Sequence, residues 1–287
     1  MTQLEPARTT QAVRERVTAW RAAGARIALV PTMGNLHAGH LSLVDVARRH
    51  ADRVIVSVFV NPTQFGPNED IGSYPRTPGE DRAALEAQGG TDLLFAPAEE
   101  EIYPFGPRGV TALALPELAD DLCGRTRPGH FNGVASVVLR LLNIARPDVL
   151  VVGSKDYQQM ILLERMIADL HLGVDLVAGA IVREADGLAM SSRNQYLTAT
   201  QREAAPALAA ALRELAAGLG GDGQSFAARR ADAIASLERR GFRVDYLELR
   251  NAADLGPVEA GGNGQRVLLV AAWLGRARLI DNVLLPA

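Results

Sequence analysis

The chain has 287 residues, of which 48% are hydrophobic and 22% charged; this is typical of a globular protein of one large or two ordinary domains and excludes a disordered chain. A net charge of −3 offers no strongly basic surface, so we expect no nucleic-acid partner. With a single cysteine, no long apolar segment and no signal-peptide pattern, the sequence favours a cytoplasmic protein without disulfides or a membrane partner.

Predicted strands and helices alternate through the first 180 residues. Short apolar or β-branched runs predict strands at 27–30, 54–60, 92–95, 149–152 and 174–177. Helical periodicity predicts helices at 10–23, 41–50, 77–88, 131–145 and 156–170, the third of them opened by a capping box at 77–80. The alternation predicts a doubly wound parallel sheet of the α/β class, with ligands bound at the carboxyl ends of its strands.

The remaining residues have a different pattern. We predict a helix over 198–219 that begins in a second capping box, a glycine-rich break at 218–225, and a helix over 225–240. A strand at 243–250 precedes a hairpin of 267–274 and 277–285, which turns at Gly275-Arg276. These elements predict a smaller C-terminal α+β domain, so we place the two domains at 1–180 and 181–287.

The segment Pro31-Thr-Met-Gly-Asn-Leu-His37-Ala-Gly-His40 follows the first strand and opens a helix. A helix N-terminus attracts phosphate, and two histidines three residues apart can face one ligand. Zinc is a rival interpretation, but it needs further ligands that the sequence does not supply nearby. The structural alternative is a pair of capping or surface histidines; the position between glycines at the binding edge favours function.

Other segments carry weaker signals. Lys155, the only lysine, lies in Gly153-Ser-Lys-Asp156 and could neutralise a phosphate, although a helix cap with a surface lysine explains it as well. Met190-Ser-Ser-Arg193 could bind a triphosphate or form a polar linker. Glu80 and Asp81 could carry magnesium, yet acidic residues in a first helical turn need no metal to explain them.

Six segments together resemble one enzyme family, the pantoate–β-alanine ligases or pantothenate synthetases. They are the histidine segment at 31–40, Phe59-Val-Asn-Pro-Thr-Gln-Phe65, Tyr74-Pro-Arg-Thr77, Arg127-Pro-Gly-His-Phe131, Gly153-Ser-Lys-Asp-Tyr-Gln-Gln159 and Met190-Ser-Ser-Arg-Asn194. Tyr246-Leu-Glu-Leu249 and Leu279-Ile-Asp-Asn282 extend the similarity. The His-x-Gly-His pattern alone would indicate only the wider nucleotidylyltransferase superfamily, whose fold is Rossmann-like.

The resemblance implies an ATP-dependent ligase that activates pantoate as pantoyl adenylate, releases pyrophosphate, and transfers the pantoyl group to β-alanine with release of AMP. It implies that His37, His40, Lys155 and Arg193 are catalytic, that Gln64 holds pantoate and lies near β-alanine, and that Gln159 holds pantoate. The implied ATP site comprises Met33, Gly34, Asn35, Leu36, His37, Ala38, Gly39, His40, Gly153, Ser154, Lys155, Asp156, Val182, Met190, Ser191, Ser192 and Arg193.

The resemblance also implies a homodimer, Mg²⁺ that accompanies ATP, and a smaller domain that closes over the site as a lid. Two departures are visible. Ser154 replaces a common glutamate, and the stretch Gly79-Glu80-Asp81-Arg82-Ala83-Ala84 lacks the glutamine of the acidic and glutamine pattern that carries magnesium in some members. A nucleotidylyltransferase that stops at an adenylylated product and a non-catalytic nucleotide-binding protein are the alternatives.

Overall fold

The computed structural model describes residues 4–67, 69–107, 109–115, 117–219, 225–258 and 264–285. Within them the α-helices are α1 Thr10–Ala22, α2 Ala38–His50, α3 Pro78–Gln88, α4 Glu99–Ile102, α5 Cys123–Thr126, α6 His130–Ala145, α7 Tyr157–Asp169, α8 Ala199–Ala204, α9 Ala207–Gly218 and α10 Phe226–Arg239. The strands are β1 Ile27–Thr32, β2 Arg53–Val58, β3 Leu93–Phe95, β4 Val149–Gly153, β5 Asp175–Gly179, β6 Phe242–Asn251, β7 Arg266–Leu274 and β8 Ala277–Leu285.

The chain divides into two compact units. The first comprises residues 1–154 and 162–180, and the second comprises 155–161 and 181–287. The segment that carries Lys155 and Gln159 therefore belongs to the second unit although it precedes residue 180 in sequence. The division of the chain into domains at residue 180 stays a proposal.

The first unit contains the predicted parallel sheet, with strand order β3-β2-β1-β4-β5. All neighbouring strands in it run parallel, with Leu29 of β1 opposite Ile55 of β2 and Leu150 of β4. The strand order reverses between β1 and β4, and in open α/β sheets ligands bind outside the carboxyl ends of the strands at such a point. This topology favours the loops after β1 and β4 as the place where a ligand binds.

Burial explains why these short strands form. Ile27, Leu29, Ile55 and Leu150 are fully buried, as expected for a parallel sheet covered on both faces. Helix α2 packs on β1, β2 and β4, whereas α6 contacts β1 and is itself packed against α1. Apolar burial at about 25 cal/mol per Å² makes this core the main source of stability for the unit.

The second unit contains an antiparallel sheet with strand order β6-β7-β8, as predicted for an α+β domain. The β7–β8 hairpin pairs Leu274 with Ala277 around the predicted turn, where Gly275 adopts a φ of 58°. Helices α9 and α10 bury Leu208, Leu212 and Leu237 in a core shared with this sheet. Across the described ranges, no helix is both long and apolar enough to cross a membrane.

Two local predictions were wrong. The helix predicted over 198–219 is broken into α8 and α9 at Ala205-Pro206, because a proline in a helix interior removes a hydrogen bond and clashes with the preceding turn. The capping box at Thr77 does not form: the Thr77 hydroxyl donates to Asp81 Oδ1 at 3.1 Å instead of capping α3. The capping box at Thr198 does form, and most of the glycine-rich break at 218–225 lies outside the described residues.

Candidate active site

The two histidines of the β1–α2 segment cap helix α2. His37 is the N-cap residue, and its Nδ1 accepts from the Gly39 amide at 3.2 Å. The His37 amide donates to Nδ1 of His40 at 3.3 Å, which completes a reciprocal capping box. The helix consequently begins at Ala38, three residues before its predicted start, and His40 lies in its first turn. The two rings lie close, with their centroids 4.1 Å apart.

This capping determines which ring nitrogen carries the proton. A main-chain N–H can only donate, so Nδ1 of both His37 and His40 must be an acceptor. In a neutral imidazole the proton then lies on Nε2. Both rings are therefore held in the tautomer whose Nε2 can donate to a phosphate oxygen. The capping function of the structural alternative is present, and it leaves Nε2 of both rings as the donor atom.

The buried carboxylate of Asp81 anchors the loop before the histidines. Asp81 is only 3% exposed, and its two oxygens accept from the amides of Asn35 at 3.1 Å and Leu36 at 2.8 Å. Gly34 passes so close that an added Cβ would lie 2.8 Å from Asp81 Oδ2, and its φ of 80° disfavours other residues. Asp81, at the start of α3, therefore sets the path of the chain into α2.

The same geometry bears on the magnesium hypothesis for Glu80 and Asp81. Both Asp81 oxygens already hold main-chain amides, while Glu80 is exposed. Across the described part of the chain, no group of three or more His, Cys, Asp or Glu side chains could hold a metal ion. Glu80 and Asp81 do not fit a resident magnesium site, and we derive no step through a metal that the protein holds.

Asn61 and Gln64 follow β2 and form a buried polar cluster next to α6. Asn61 is 1% exposed and Gln64 8% exposed. The 62–64 turn lies against the backbone of α6, where a Cβ on Gly133 would come within 2.3 Å of the Thr63 carbonyl oxygen. Only glycine permits this approach. This close approach brings the loop after β2 onto α6, so that the side-chain Nδ2 of Asn61 donates to the Gly133 carbonyl at 3.2 Å.

The backbone around Asn61 sets the orientation of both side-chain amides. Asn61 Oδ1 faces a main-chain donor, Thr63 N at 3.3 Å, and Asn61 Nδ2 faces a main-chain acceptor, the Gly133 carbonyl. Its Nδ2 also donates to Gln64 Oε1 at 2.9 Å. The Gln64 Nε2 group therefore points away from Asn61, and it contacts Met33 Sδ at 3.0 Å. Gln64 is presented as a hydrogen-bond donor, which suits a carboxylate or hydroxyl oxygen.

Tyr103 completes this cluster. Its hydroxyl donates to Asn61 Oδ1 at 2.6 Å, and burial raises the pKa of Tyr103 against the opposing effects of Thr63 and Arg140. The phenol therefore stays protonated well above neutral pH and remains a donor. No sequence pattern singles out Tyr103, because it lies 42 residues from its partner.

The segment that opens α6 is held by an ion pair. Arg127 donates to both oxygens of Glu69, at 2.6 and 2.7 Å, and its Nη1 lies 2.8 Å from Nε2 of His130. Nδ1 of His130 donates to the Gln64 carbonyl at 2.8 Å. Burial would raise the pKa of Glu69, but the hydrogen bonds and charge of Arg127 outweigh it and hold the pKa below its ordinary value. These contacts support the main chain of Gln64.

In the second unit, Lys155 and Ser191 line one small cavity together with Asn194 and Asp281. Lys155 Nζ lies 3.7 Å from Asp156 Oδ2. Ser191 caps a turn of 3-10 helix by accepting from the Arg193 amide at 3.3 Å. The structure thus brings Lys155 close to the Met190–Arg193 segment. Val182 also lies next to the Met190–Arg193 segment, because its carbonyl accepts from the Met190 amide at 3.0 Å. Gln159 is half-buried on α7.

The chain matches the model of the family described as pantoate–β-alanine ligase over residues 5–284. A pantothenate synthetase of Shewanella amazonensis is 52% identical over 272 residues, covering 94% of this chain and 95% of the relative. One of Thioalkalivibrio sulfidiphilus is 52% identical over 280 residues, covering 98% and 97%.

Solved structures agree with these relatives. The pantothenate synthetase of Thermus thermophilus superimposes with a TM-score of 0.84 at 42% identity, covering 98% of this chain and 99% of that one. The pantoate–β-alanine ligase of Francisella tularensis, solved with β-γ ATP and β-alanine, gives a TM-score of 0.79 at 32% identity, covering 98% and 97%. The chain therefore belongs to the pantoate–β-alanine ligase family, and it is a ligase that joins pantoate to β-alanine.

Proposed function

We propose that this ligase works in two steps through a pantoyl adenylate. In the first step a carboxylate oxygen of pantoate attacks the α-phosphorus of ATP, the bond from that phosphorus to the β-phosphate oxygen breaks, and pyrophosphate leaves. In the second step the amine of β-alanine attacks the pantoyl carbonyl carbon, the carbon–oxygen bond to AMP breaks, and the nitrogen loses a proton. The protein contributes positioning and charge stabilisation.

His37 and His40 bind the phosphates of ATP in this proposal, and His40 acts on the α-phosphate during the first step. The observation that carries the proposal is the capping box, because it holds Nε2 of both rings as a donor at the start of α2. The amide groups and dipole of the helix N-terminus add further positive potential for the phosphates. The segment from Met33 to Gly39 lines the nucleotide on the same side.

Gln64 holds pantoate through its Nε2 donor and lies next to the β-alanine position. Its orientation, fixed by Asn61, suits the carboxylate and hydroxyl oxygens of pantoate. Gln159 is the second pantoate contact. The Francisella tularensis relative was solved with β-γ ATP and β-alanine, which supports two of the three substrates for this chain.

Lys155 and Arg193 neutralise the charge that grows on the phosphates as pyrophosphate leaves. Lysine offers a compact charge and arginine a planar fork, so the two can act on different oxygens. The remaining predicted nucleotide contacts are Gly153, Ser154, Asp156, Val182, Met190, Ser191 and Ser192. Mg²⁺ enters bound to ATP as part of the substrate.

Two further properties belong to the proposal: a homodimer, which the family resemblance implies, and a cytoplasmic location, which the sequence favours. Light scattering on the purified protein tests the first, with a mass of twice 30.6 kDa expected. Fractionation of cells that express the tagged chain tests the second. A monomeric mass, or recovery outside the cytoplasmic fraction, would contradict the respective proposal.

An oxygen-labelling experiment tests the two-step reaction. Pantoate labelled with ¹⁸O in its carboxylate is turned over with ATP and β-alanine, and each substrate is omitted in turn. We expect sustained AMP release only with all three substrates, and we expect this AMP to carry one ¹⁸O atom, because the attacking carboxylate oxygen stays on phosphorus. AMP without label, or activation through γ-phosphoryl transfer with release of ADP, would overturn the proposal.

A further inference from the structure

Two neighbouring residues of β8 are polar and buried. Asp281 is 3% exposed and Asn282 6% exposed, in a strand that is otherwise largely apolar. Both belong to the Leu279–Asn282 segment, which is similar to the family but to which the resemblance assigns no role. Buried polar groups are costly unless they are paired, so their partners indicate what they do.

Asp281 holds the segment that leads into Met190–Arg193. Its two oxygens accept from Nη1 and Nη2 of Arg183 at 2.7 and 2.9 Å. Arg183 starts a short hairpin: it forms a β-bridge with Ala189 and also donates to the Gly187 carbonyl at 3.0 Å. The returning arm of this hairpin runs directly into Met190–Arg193.

Asn282 holds Lys155. Its Nδ2 donates to the Lys155 main-chain carbonyl at 3.0 Å, which fixes the point from which the lysine side chain projects. Strand β8 also packs against the Ser192–Tyr196 turn. Lys155, Ser191 and Asp281 line the same cavity, so the two contacts meet at one place in the second unit.

We infer that Asp281 and Asn282 are positioning residues that set the relative placement of Lys155 and the Met190–Arg193 segment for the polyphosphate of ATP. This inference rests on the proposed role of these two segments in nucleotide binding. It makes the C-terminal strand part of the machinery of the reaction. A small displacement of a group that contacts the reacting phosphates can cost about 100-fold in rate.

The second unit offers a matched control. Asp245 of β6 is also a buried carboxylate, with a side chain 4% exposed, and it pairs with Arg278 of β8 at 2.8 Å. Asp245→Asn and Asp281→Asn each remove the negative charge of a buried aspartate side chain that lies on the same sheet and pairs with an arginine. A purely structural role predicts the same outcome for both, whereas positioning predicts a difference.

The experiment uses the fact that Lys155 is the only lysine of the chain. Trinitrobenzenesulfonate modifies amines, and mass spectrometry of the peptide that contains Lys155 gives its labelling rate with and without ATP. The same proteins are assayed for AMP release at varied ATP and varied β-alanine, and their melting temperatures are recorded. The variants are Asn282→Ala, Asp281→Asn and Asp245→Asn in the full chain.

We expect ATP to protect Lys155 in the parent and in Asp245→Asn. In Asn282→Ala and Asp281→Asn we expect protection to be lost at the same ATP concentration and kcat/KM for ATP to fall roughly 10- to 100-fold, with KM for β-alanine within about two-fold of the parent. If Asn282→Ala does not fold, Asn282→Ser replaces it with the same expectation. Parent-like protection and kinetics in the folded Asn282 variant, or equal losses in Asp245→Asn, would overturn the inference.

The failure of the proposed function gives a different pattern. In that case the parent protein itself shows neither protection of Lys155 by ATP nor AMP release with the three substrates, which overturns the proposed function and this inference together. An active and protected parent with an unaffected Asn282 variant overturns the inference alone.

Discussion

The main-chain amide of His37 donates to Nδ1 of His40 at 3.3 Å, and this contact gives the second histidine two functions. Its Nδ1 satisfies an amide at the start of α2, and its Nε2 carries the proton that it can donate. Replacements that imitate only one nitrogen should therefore separate helix capping from catalysis.

The side chain of asparagine can place an acceptor near the position of Nδ1, but it is too short to reach the position of Nε2. We expect His40→Asn and His40→Ala each to lose at least ~100-fold in kcat, because both lack the donor to the transition state. His40→Asn should be more stable than His40→Ala by about 0.5–1 kcal/mol, because it keeps an acceptor for the cap. Steady-state kinetics and urea denaturation measure the two effects. A His40→Asn enzyme with parent-like kcat would contradict the role of Nε2.

Gly34→Ala tests the anchoring of the loop by Asp81. The new Cβ would lie 2.8 Å from Asp81 Oδ2, and the φ of 80° is unfavourable for alanine. Gly89→Ala is the matched control, since Gly89 has a φ of 79° and nothing within 4 Å of an added Cβ. We expect both to lose about 1–2 kcal/mol of stability from backbone strain. Gly34→Ala should lose more than this, because its Cβ also meets Asp81, and only Gly34→Ala should lower kcat/KM for ATP. Equal values of kcat/KM for ATP in the two variants would contradict the claim that Asp81 anchors the loop before the histidines.

Lys155→Arg keeps the positive charge but changes its shape. A planar fork on a different stem cannot place its charge where the compact ammonium lies, so we expect kcat/KM for ATP to fall about ten-fold. Arg193→Lys is the reciprocal variant, and we expect a loss there as well. Unchanged kinetics in Lys155→Arg would show that the only lysine of the chain is not required as a lysine.

The Glu69–Arg127 pair makes stability depend on pH. The pKa of Glu69 is held below its ordinary value of 4.5, so the folded protein binds the proton more weakly than the unfolded chain. The stabilisation is present above pH 4.5 and is lost as the pH falls through the lowered pKa. We expect Glu69→Gln to cost about 1 kcal/mol near neutral pH. The difference in unfolding free energy between the parent and Glu69→Gln should shrink as the pH falls below 4.5. A difference in denaturation midpoint that stays constant from neutral pH into acid would contradict the role of the Glu69–Arg127 pair.

Much of the first unit could be predicted from residue patterns, because most of its strands are short, largely buried apolar runs between helices with their own periodicity. The predictions fail where distant contacts decide. Thr77 begins a sequence pattern that is typical of a capping box, yet its hydroxyl donates to Asp81. The Asp81 carboxylate in turn accepts from the amide of Leu36, which lies 45 residues away in sequence. The break in the long helix, in contrast, has a local cause, since Pro206 cannot continue a helix.

The candidate site follows the same division. The His37–His40 segment stands out because its chemistry is local: two histidines, glycines and a helix start. The donor orientation of Gln64 depends on Asn61, Tyr103 and the Gly133 carbonyl, which come from three separate elements. No spacing rule links these residues. Asp281 and Asn282 belong to a segment that resembles the family, but only their contacts with Arg183 and Lys155 indicate a role.

A crystal structure of the protein with a non-hydrolysable ATP analogue and pantoate tests the central claim most directly. We predict that Nε2 of both His37 and His40 lies within about 3.2 Å of phosphate oxygens, with Nδ1 still accepting from the main chain. A nucleotide whose phosphates lie away from both rings, or rings that have turned to offer Nδ1, would contradict the account.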